Sequence, residues 1–600
     1  MGSSLSNLVS DPNKFATKVN PDGTDEDVSK WKSYDYVIAG GGTAGCILAS
    51  RLSEDRNATV LLIEAGKSEG DLFSRMPLTF SKSFGTDIDW AFVPEPQESM
   101  SGRVISVPRG KVLGGTSILN CLIYDRCSPE DFNSWAKNGA EGWAFKDVEP
   151  YFRKLEGYVP EKFIDKVDFS TKGRDGPIVI TQDDCAPELN NAIFESWKAL
   201  GVDYVDDVNS HNKLGATRFQ GCVDLKGTRS SVVSAYLTPE VLARPNLTIA
   251  VNNRVEKVLF SRDASSELKA IGVQVTSSPN YPSYRLAATR EVIVCGGAIH
   301  TPHILLLSGV GPKEELEKVG VAPMKDLPVG RHLVDHISCG PYLFRTKPGY
   351  TLDYLNHSPL AAIKPLVQWL FTGKGVFSKL PVPTAAWVRS DDPKLMDTSI
   401  GTVRDVSSGP NSPDLEILWS PILAPSYTTP GPPGVHGITI SAIALKAESE
   451  GTVTLKTNSV WDKPIVNGNY FSSENDLYTV LRGVRLIQRL SQTEPLKSIL
   501  APKRDNNDKE SLFWPSDVDP EKLSDDELKA WILRHGHSTC HIAGSCSIGP
   551  VLTPELKVHG IPNLRVVDAS VFPTQVSGHP VAVVFVFAEK AADMIKASWK

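Results

Sequence analysis

Apolar residues in this 600-residue chain gather in short runs that end on small residues. Val37-Ile38-Ala39 stops at Gly40-Gly41-Gly42, and Thr59-Val60-Leu61-Leu62-Ile63 stops at Glu64. Runs this short and continuously apolar predict strands, and the stretch between them predicts the helix of a βαβ unit over about Tyr34–Gly66. The pattern returns at Leu247–Val251, Arg254–Phe260 and Glu291–Cys295, the last running into Gly296-Gly297-Ala298. A final strand, Leu564–Asp568, leads to a closing helix over Val581–Trp599. Between these blocks lie strand-like runs at 177–181, 415–419 and 436–446, a helix start near Trp143 and a helix over about 475–492. The grammar predicts an α/β nucleotide domain of Rossmann type, interrupted by an α+β second lobe that returns to it at the end. Residues 1–33 are polar and weakly periodic, and read as an extended arm.

The first turn carries the chemistry. Gly40 permits a tight exit from the strand, Gly42 lets backbone approach a pyrophosphate, and Gly45 lets helix and strand pack closely. The helix N-terminus offers free N–H groups and a partial positive charge. Glu64 lies nineteen positions beyond Gly45. A carboxylate there accepts from both ribose hydroxyls and repels a 2′-phosphate, so FAD or NAD is expected and NADP is disfavoured.

Composition narrows the rest. The length demands more than one core. A net charge of −7 gives no reason to expect nucleic acid or an anionic membrane as partner. Nine scattered cysteines without CxxC pairs argue against a disulfide scaffold or structural zinc and suit a reducing compartment. No secretory signal and no membrane-spanning run is evident, so a cytoplasmic location is expected. Met1-Gly2-Ser3-Ser4-Leu5-Ser6 fits the N-myristoylation pattern, at most a weak lipid anchor.

Two histidines stand out near the C-terminus, His541 in Cys540–Gly549 and His579 in Ser577-Gly578-His579-Pro580. The spacing of His535, His537 and His541 permits a metal cluster, but no acid or cysteine nearby in sequence completes one, and no metal is expected. With Pro108–Arg126 (PRGKVLGGTSILNCLIYDR), Gly297–Pro312, Val329–His336 (VGRHLVDH), Gly451–Tyr470 and Asn563–Pro573 (NLRVVDASVFP), the chain resembles the glucose–methanol–choline (GMC) family of FAD-dependent oxidoreductases, and its fungal aryl-alcohol oxidase-like branch in particular.

The resemblance implies an FAD-binding domain from 34–154, 228–340 and 541–600. It implies a discontinuous substrate-binding domain, built on an antiparallel sheet, from 155–227 and 341–540. Gly40, Gly42, Thr43, Ala44, Gly45 and Glu64 would hold pyrophosphate and ribose; Asn120, Cys121, Leu122 and Ile123 would line the flavin. Val255 would meet the adenine, and Asp568 the ribityl–pyrophosphate region. His541 and His579 match the catalytic pair, one taking the alcohol proton while flavin N5 takes the hydride, with the roles shared or reversible. The helix after Pro580 would aim its positive end at the reduced flavin.

Two departures modify this picture. Ile118 and Leu119 stand near where some members carry a flavin-linking histidine, so FAD is expected to bind non-covalently. Cys121 and Cys540 stand where aromatics would frame an aryl-alcohol pocket, with Tyr427 and Phe377 as candidate replacements. The implied activity is oxidation of a primary alcohol, aryl or aliphatic, with oxygen or another acceptor re-oxidising the flavin. A hydroxynitrile lyase of the same family is the alternative.

Overall fold

The computed structural model describes residues 7–600 apart from 20–26, 161–166, 263–266, 503, 505 and 506. The myristoylation-like Met1–Ser6 lies outside the described residues. One lobe is built on a nine-stranded sheet. Its centre runs in the order Leu247–Ala250, Val60–Ile63, Lys32–Ala39 and Tyr284–Val294, all parallel, and Leu564–Val566 also joins Tyr284–Val294 in parallel. Every residue of Val60–Ile63 is buried, which explains the unbroken apolar run. Leu268–Thr276 and Arg254–Arg262 extend the sheet as an antiparallel hairpin.

The N-terminal residues do not form a free arm. Leu8–Val9 adds a parallel edge strand beside Leu247–Ala250, and Thr17–Lys18 pairs with Tyr284–Val294. Phe15 and Trp31 are buried. Two short pairings and a few isolated apolar residues are too little periodicity to read from sequence.

The second lobe is a seven-stranded sheet in which every pairing is antiparallel. Its central strands are Thr384–Val388, Leu415–Ser420 and Gly437–Ala444. Helix Glu474–Ser491 packs across the latter two, and Asp525–His535 packs against that helix. Ser473 caps the first through the N–H of Asn475, and Ser524 forms a capping box with Glu527 on the second. The layers are therefore an α/β lobe and an antiparallel α+β lobe, as the family resemblance implies.

Candidate functional site

The residues that end the parallel strands surround one cavity of about 1540 Å³, its mouth included. Gly40, Gly42, Thr43, Ala44, Glu64, Asn120, Cys121, Leu122, Ile123, Val255, Asp568, His541 and His579 all line it. Gly45 does not. A Cβ there would meet the Gly40 carbonyl oxygen at 2.0 Å, so this glycine sets the helix–strand distance from behind the wall. Gly40 itself has φ +116°, which an L side chain resists.

Helices Thr43–Leu52, Gly297–Leu307 and Val581–Ser598 all start at the cavity wall, and none is capped by the side chain of its own N-cap residue. Asp568 takes the Gly297 N–H at 2.8 Å and the Thr301 hydroxyl at 2.5 Å. The other two termini keep their positive ends for an anion. Glu64 accepts from the N–H groups of Gly41 (2.9 Å) and Gly66 (2.7 Å), and burial raises its pKa to about 7. Asn120 turns its carboxamide oxygen to the Leu122 N–H (3.1 Å) and the Arg229 guanidinium (2.6 Å). That holds Leu122 at φ +63°, a conformation a leucine reaches only under constraint.

His541 and His579 meet edge to face with ring centroids 4.9 Å apart. A third histidine, His336, completes the arrangement. Its Nε2 lies 2.7 Å from the Val576 carbonyl oxygen, which can only accept, so Nε2 carries a proton. Burial holds the His336 pKa down at about 3, so the ring is neutral and Nδ1 bears a lone pair. That Nδ1 sits 2.8 Å from His541 Nδ1, which must then be the donor. The His541 tautomer is thereby set: Nδ1–H points at His336, and a free Nε2 lone pair remains for the cavity. Burial, reinforced by the neighbouring His579, His336 and Arg109, pushes the His541 pKa well below the ordinary imidazole value.

Carboxylates fix the frame. Asp335 accepts from the backbone N–H of His541 (2.8 Å), from the Tyr470 hydroxyl (2.8 Å) and from Ser538. Cys540, just before the histidine, is held at φ +63°. Asp125, paired with buried Lys213, accepts the His579 N–H at 3.2 Å, and Asp131 accepts that of Ser577 at 2.8 Å. From the other lobe, Glu416 lies 3.1 Å from His579 Nε2 and takes its proton in a hydrogen bond.

Sequence reasoning missed His336 and Glu416. His336 closes VGRHLVDH, a segment noted for its resemblance but not for its histidine. Glu416 was visible as the lone acid in the apolar run Leu415–Trp419. Of the two proposed aromatic replacements, Phe377 is corrected, since it lies away from the cavity, whereas Tyr427 stands within electrostatic reach of Cys121 and Cys540, which line it. Phe377 packs beneath a helix against Met76 and Trp369, while Tyr427 stacks on His537 and meets Phe84 edge to face. His535 stacks on Trp531, so the three-histidine spacing does not converge, and no metal-sized cluster exists among the described residues.

Family models described as GMC oxidoreductase match residues 34–338 and 447–588. The chain belongs to the GMC oxidoreductase family. It is 42% identical over 619 aligned positions to dehydrogenase str4 of Strobilurus tenacellus, covering 99% of this chain and 100% of that one. It superposes on a formate oxidase with a TM-score of 0.85 at 26% identity, covering 94% of this chain and 98% of that one. A fungal aryl-alcohol oxidase gives 0.79 at 25% identity, covering 94% and 99%.

GMC oxidoreductases are FAD flavoproteins, and the residues here fit that cofactor. The Gly42 terminus opens on the cavity beside the Glu64 carboxylate, and two buried polar atoms on cavity-lining residues, Asn253 Oδ1 and His303 Nδ1, lack a protein partner. Phosphates suit the first, and hydroxyl or amino groups the others.

Proposed function

We propose that this GMC flavoprotein oxidises a primary alcohol, aryl or aliphatic, to the aldehyde, with His541 as the general base. The observation that carries the reading is the His336–His541 contact of 2.8 Å, because it leaves a lone pair on the ring nitrogen that faces the cavity. Bound FAD supplies the hydride acceptor. His541 Nε2 takes the hydroxyl proton; its depressed pKa keeps it neutral and ready across the neutral range. His579, its ring fixed by Glu416 through Nε2, stands beside His541 at the cavity wall and completes the pair. Thr43, Ala44 and the other residues at the Gly42 terminus take the pyrophosphate, and Glu64 takes the ribose. Asn120–Ile123 and the Val581–Ser598 helix terminus take the flavin, Val255 the adenine and Asp568 the ribityl–pyrophosphate region. The latter terminus favours negative charge on the reduced ring.

Two finer readings belong with this one. Ile118 and Leu119 offer no nucleophile for a flavin linkage, which supports non-covalent binding. The aryl-alcohol branch is supported by the aryl-alcohol oxidase likeness and weakened by the cysteines at 121 and 540, so the substrate class stays broad.

Anaerobic titration of the flavin absorbance with aryl, allylic and aliphatic alcohols tests the proposal. Bleaching by one class supports it, and air then separates oxidase from dehydrogenase. A flavin that stays oxidised through the whole panel, while a cyanohydrin is cleaved, would replace it with lyase chemistry.

A further inference from the structure

Helix Pro359–Thr372 presents an unusual surface. Its inner face is ordinary: Trp369, with Ala362 and Leu366 beside it, packs on Met76 and Phe377. Its outer face carries Leu360 (75% exposed), Ile363 (51%), Val367 (46%), Leu370 (55%) and Phe371 (85%). Leu225, 76% exposed, extends the patch, because its loop abuts the helix end. Trp369 Nε1 donates to the Gly227 carbonyl at 2.7 Å, and a Cβ on Gly227 would strike the Gly373 oxygen. Large apolar side chains gathered this way on one ridge mark an interaction surface.

The charges say what kind. No Asp or Glu occurs from Tyr354 through Lys379, while Lys364, Lys374 and, on the adjoining loop, Lys226 are exposed around the patch. A two-fold contact with a second copy would set these lysines against their own images. An anionic lipid surface complements them, and a ridge rather than a groove suits a bilayer interface better than an inserted peptide. The helix is fourteen residues long. A span needs about 20 apolar residues, so this helix can lie in the interface but not cross it.

We infer that the outer face of helix 359–372 docks the enzyme on an anionic lipid surface, with the apolar ridge in the headgroup boundary and the lysines on the phosphates. This holds whatever alcohol the site oxidises. It also places the membrane near the catalytic lobe. Phe377 and Leu380 follow the helix directly, and Leu380 packs in one cluster with Leu122, Ile123 and Phe80, with Cys121 against it. Leu122 and Cys121 line the cavity.

The test uses full-length, flavin-loaded protein made without N-acylation, co-sedimented with vesicles of phosphatidylcholine alone or mixed with phosphatidylglycerol. Native protein is expected on the mixed vesicles and to come off with salt. Ile363→Glu/Phe371→Glu is expected to bind at least about tenfold more weakly, with bound flavin and alcohol oxidation unchanged. Lys364→Glu/Lys374→Glu, altering only exposed charges, should bind mixed vesicles roughly tenfold more weakly. Equal binding by native and variant protein, or no native binding to either vesicle, overturns the inference. So does a native dimer in light scattering that the Ile363/Phe371 variant dissociates, since a second copy would then be the occupant.

Discussion

Replacing His336 with alanine isolates the contact on which the catalytic reading rests. The ring touches neither end of the chemistry directly; it takes the Nδ1 proton of His541 at 2.8 Å and gives its own to Val576 at 2.7 Å. Without it, His541 Nδ1 keeps only the longer contact to the Thr539 hydroxyl (3.2 Å), which can donate as well as accept, so the ring proton can move to Nε2, where it blocks the base. A buried hydrogen bond left unmade is worth about 1–3 kcal/mol, so the reactive tautomer should fall about 5- to 150-fold. The rate of anaerobic flavin reduction should fall by that factor with little change in alcohol affinity. His541→Ala should cost the larger general-base term, about 10²–10⁴-fold. Because His336 acts only through His541, the double variant should be no slower than His541→Ala alone. Stopped-flow reduction at saturating alcohol measures all three. A His336→Ala enzyme that reduces at the native rate, or whose loss adds in full to that of His541→Ala, would refute the tautomer argument.

Other consequences are accessible. Because burial above all lowers the His541 pKa, kcat/KM should stay flat as pH falls through the ordinary imidazole value of about 6.5; a decline centred there contradicts the assignment. Glu416→Gln should slow flavin reduction roughly 10- to 100-fold by loosening His579, since hydrogen bonds to charged groups are worth about 1.5–3 kcal/mol; an unchanged rate removes Glu416 from the site. In the apoprotein, Glu64 is held at about 7 against a normal 4.5. As pH rises, the unfolded chain loses this proton first, so stability falls between those values by about 3 kcal/mol, fully lost above about pH 7. Glu64→Gln apoprotein should lack that component in urea unfolding at about pH 5 and pH 8, and a native-like loss would dismiss it.

The parallel sheet was legible because the central stretches of its strands are buried, which writes short continuous apolar runs that end on glycine or an acid at the cavity. Val60–Ile63 and Glu64 are the clearest case. The short edge strands Leu8–Val9 and Thr17–Lys18 were not legible, since two residues carry no period. His541 and His579 drew notice through their local setting, yet nothing in sequence announced that His336, 205 positions from His541, would set its tautomer. Phe377 shows the converse error: an aromatic on a suitable loop is as readily a packing anchor as a pocket wall.

The placement of the carboxylates explains why the chain crosses between lobes so often. His579 is held at its backbone by Asp125, which follows the cavity-lining segment Asn120–Ile123, and at its ring by Glu416, from the middle of the second lobe's sheet. Neither hold suffices alone. The backbone contact fixes where the residue sits but leaves the ring free to rotate; the ring contact fixes rotation only if the lobes are docked. Asp131 strengthens that docking, since it accepts from Ser577 and pairs with Lys446 of the second lobe at 2.7 Å. The geometry of the histidine pair is therefore a property of the interface between the lobes. A substitution that loosens that interface just behind the histidines, such as Lys446→Met, which removes the contacts to Asp131 and to the Gln575 carbonyl, should slow flavin reduction while leaving flavin binding intact.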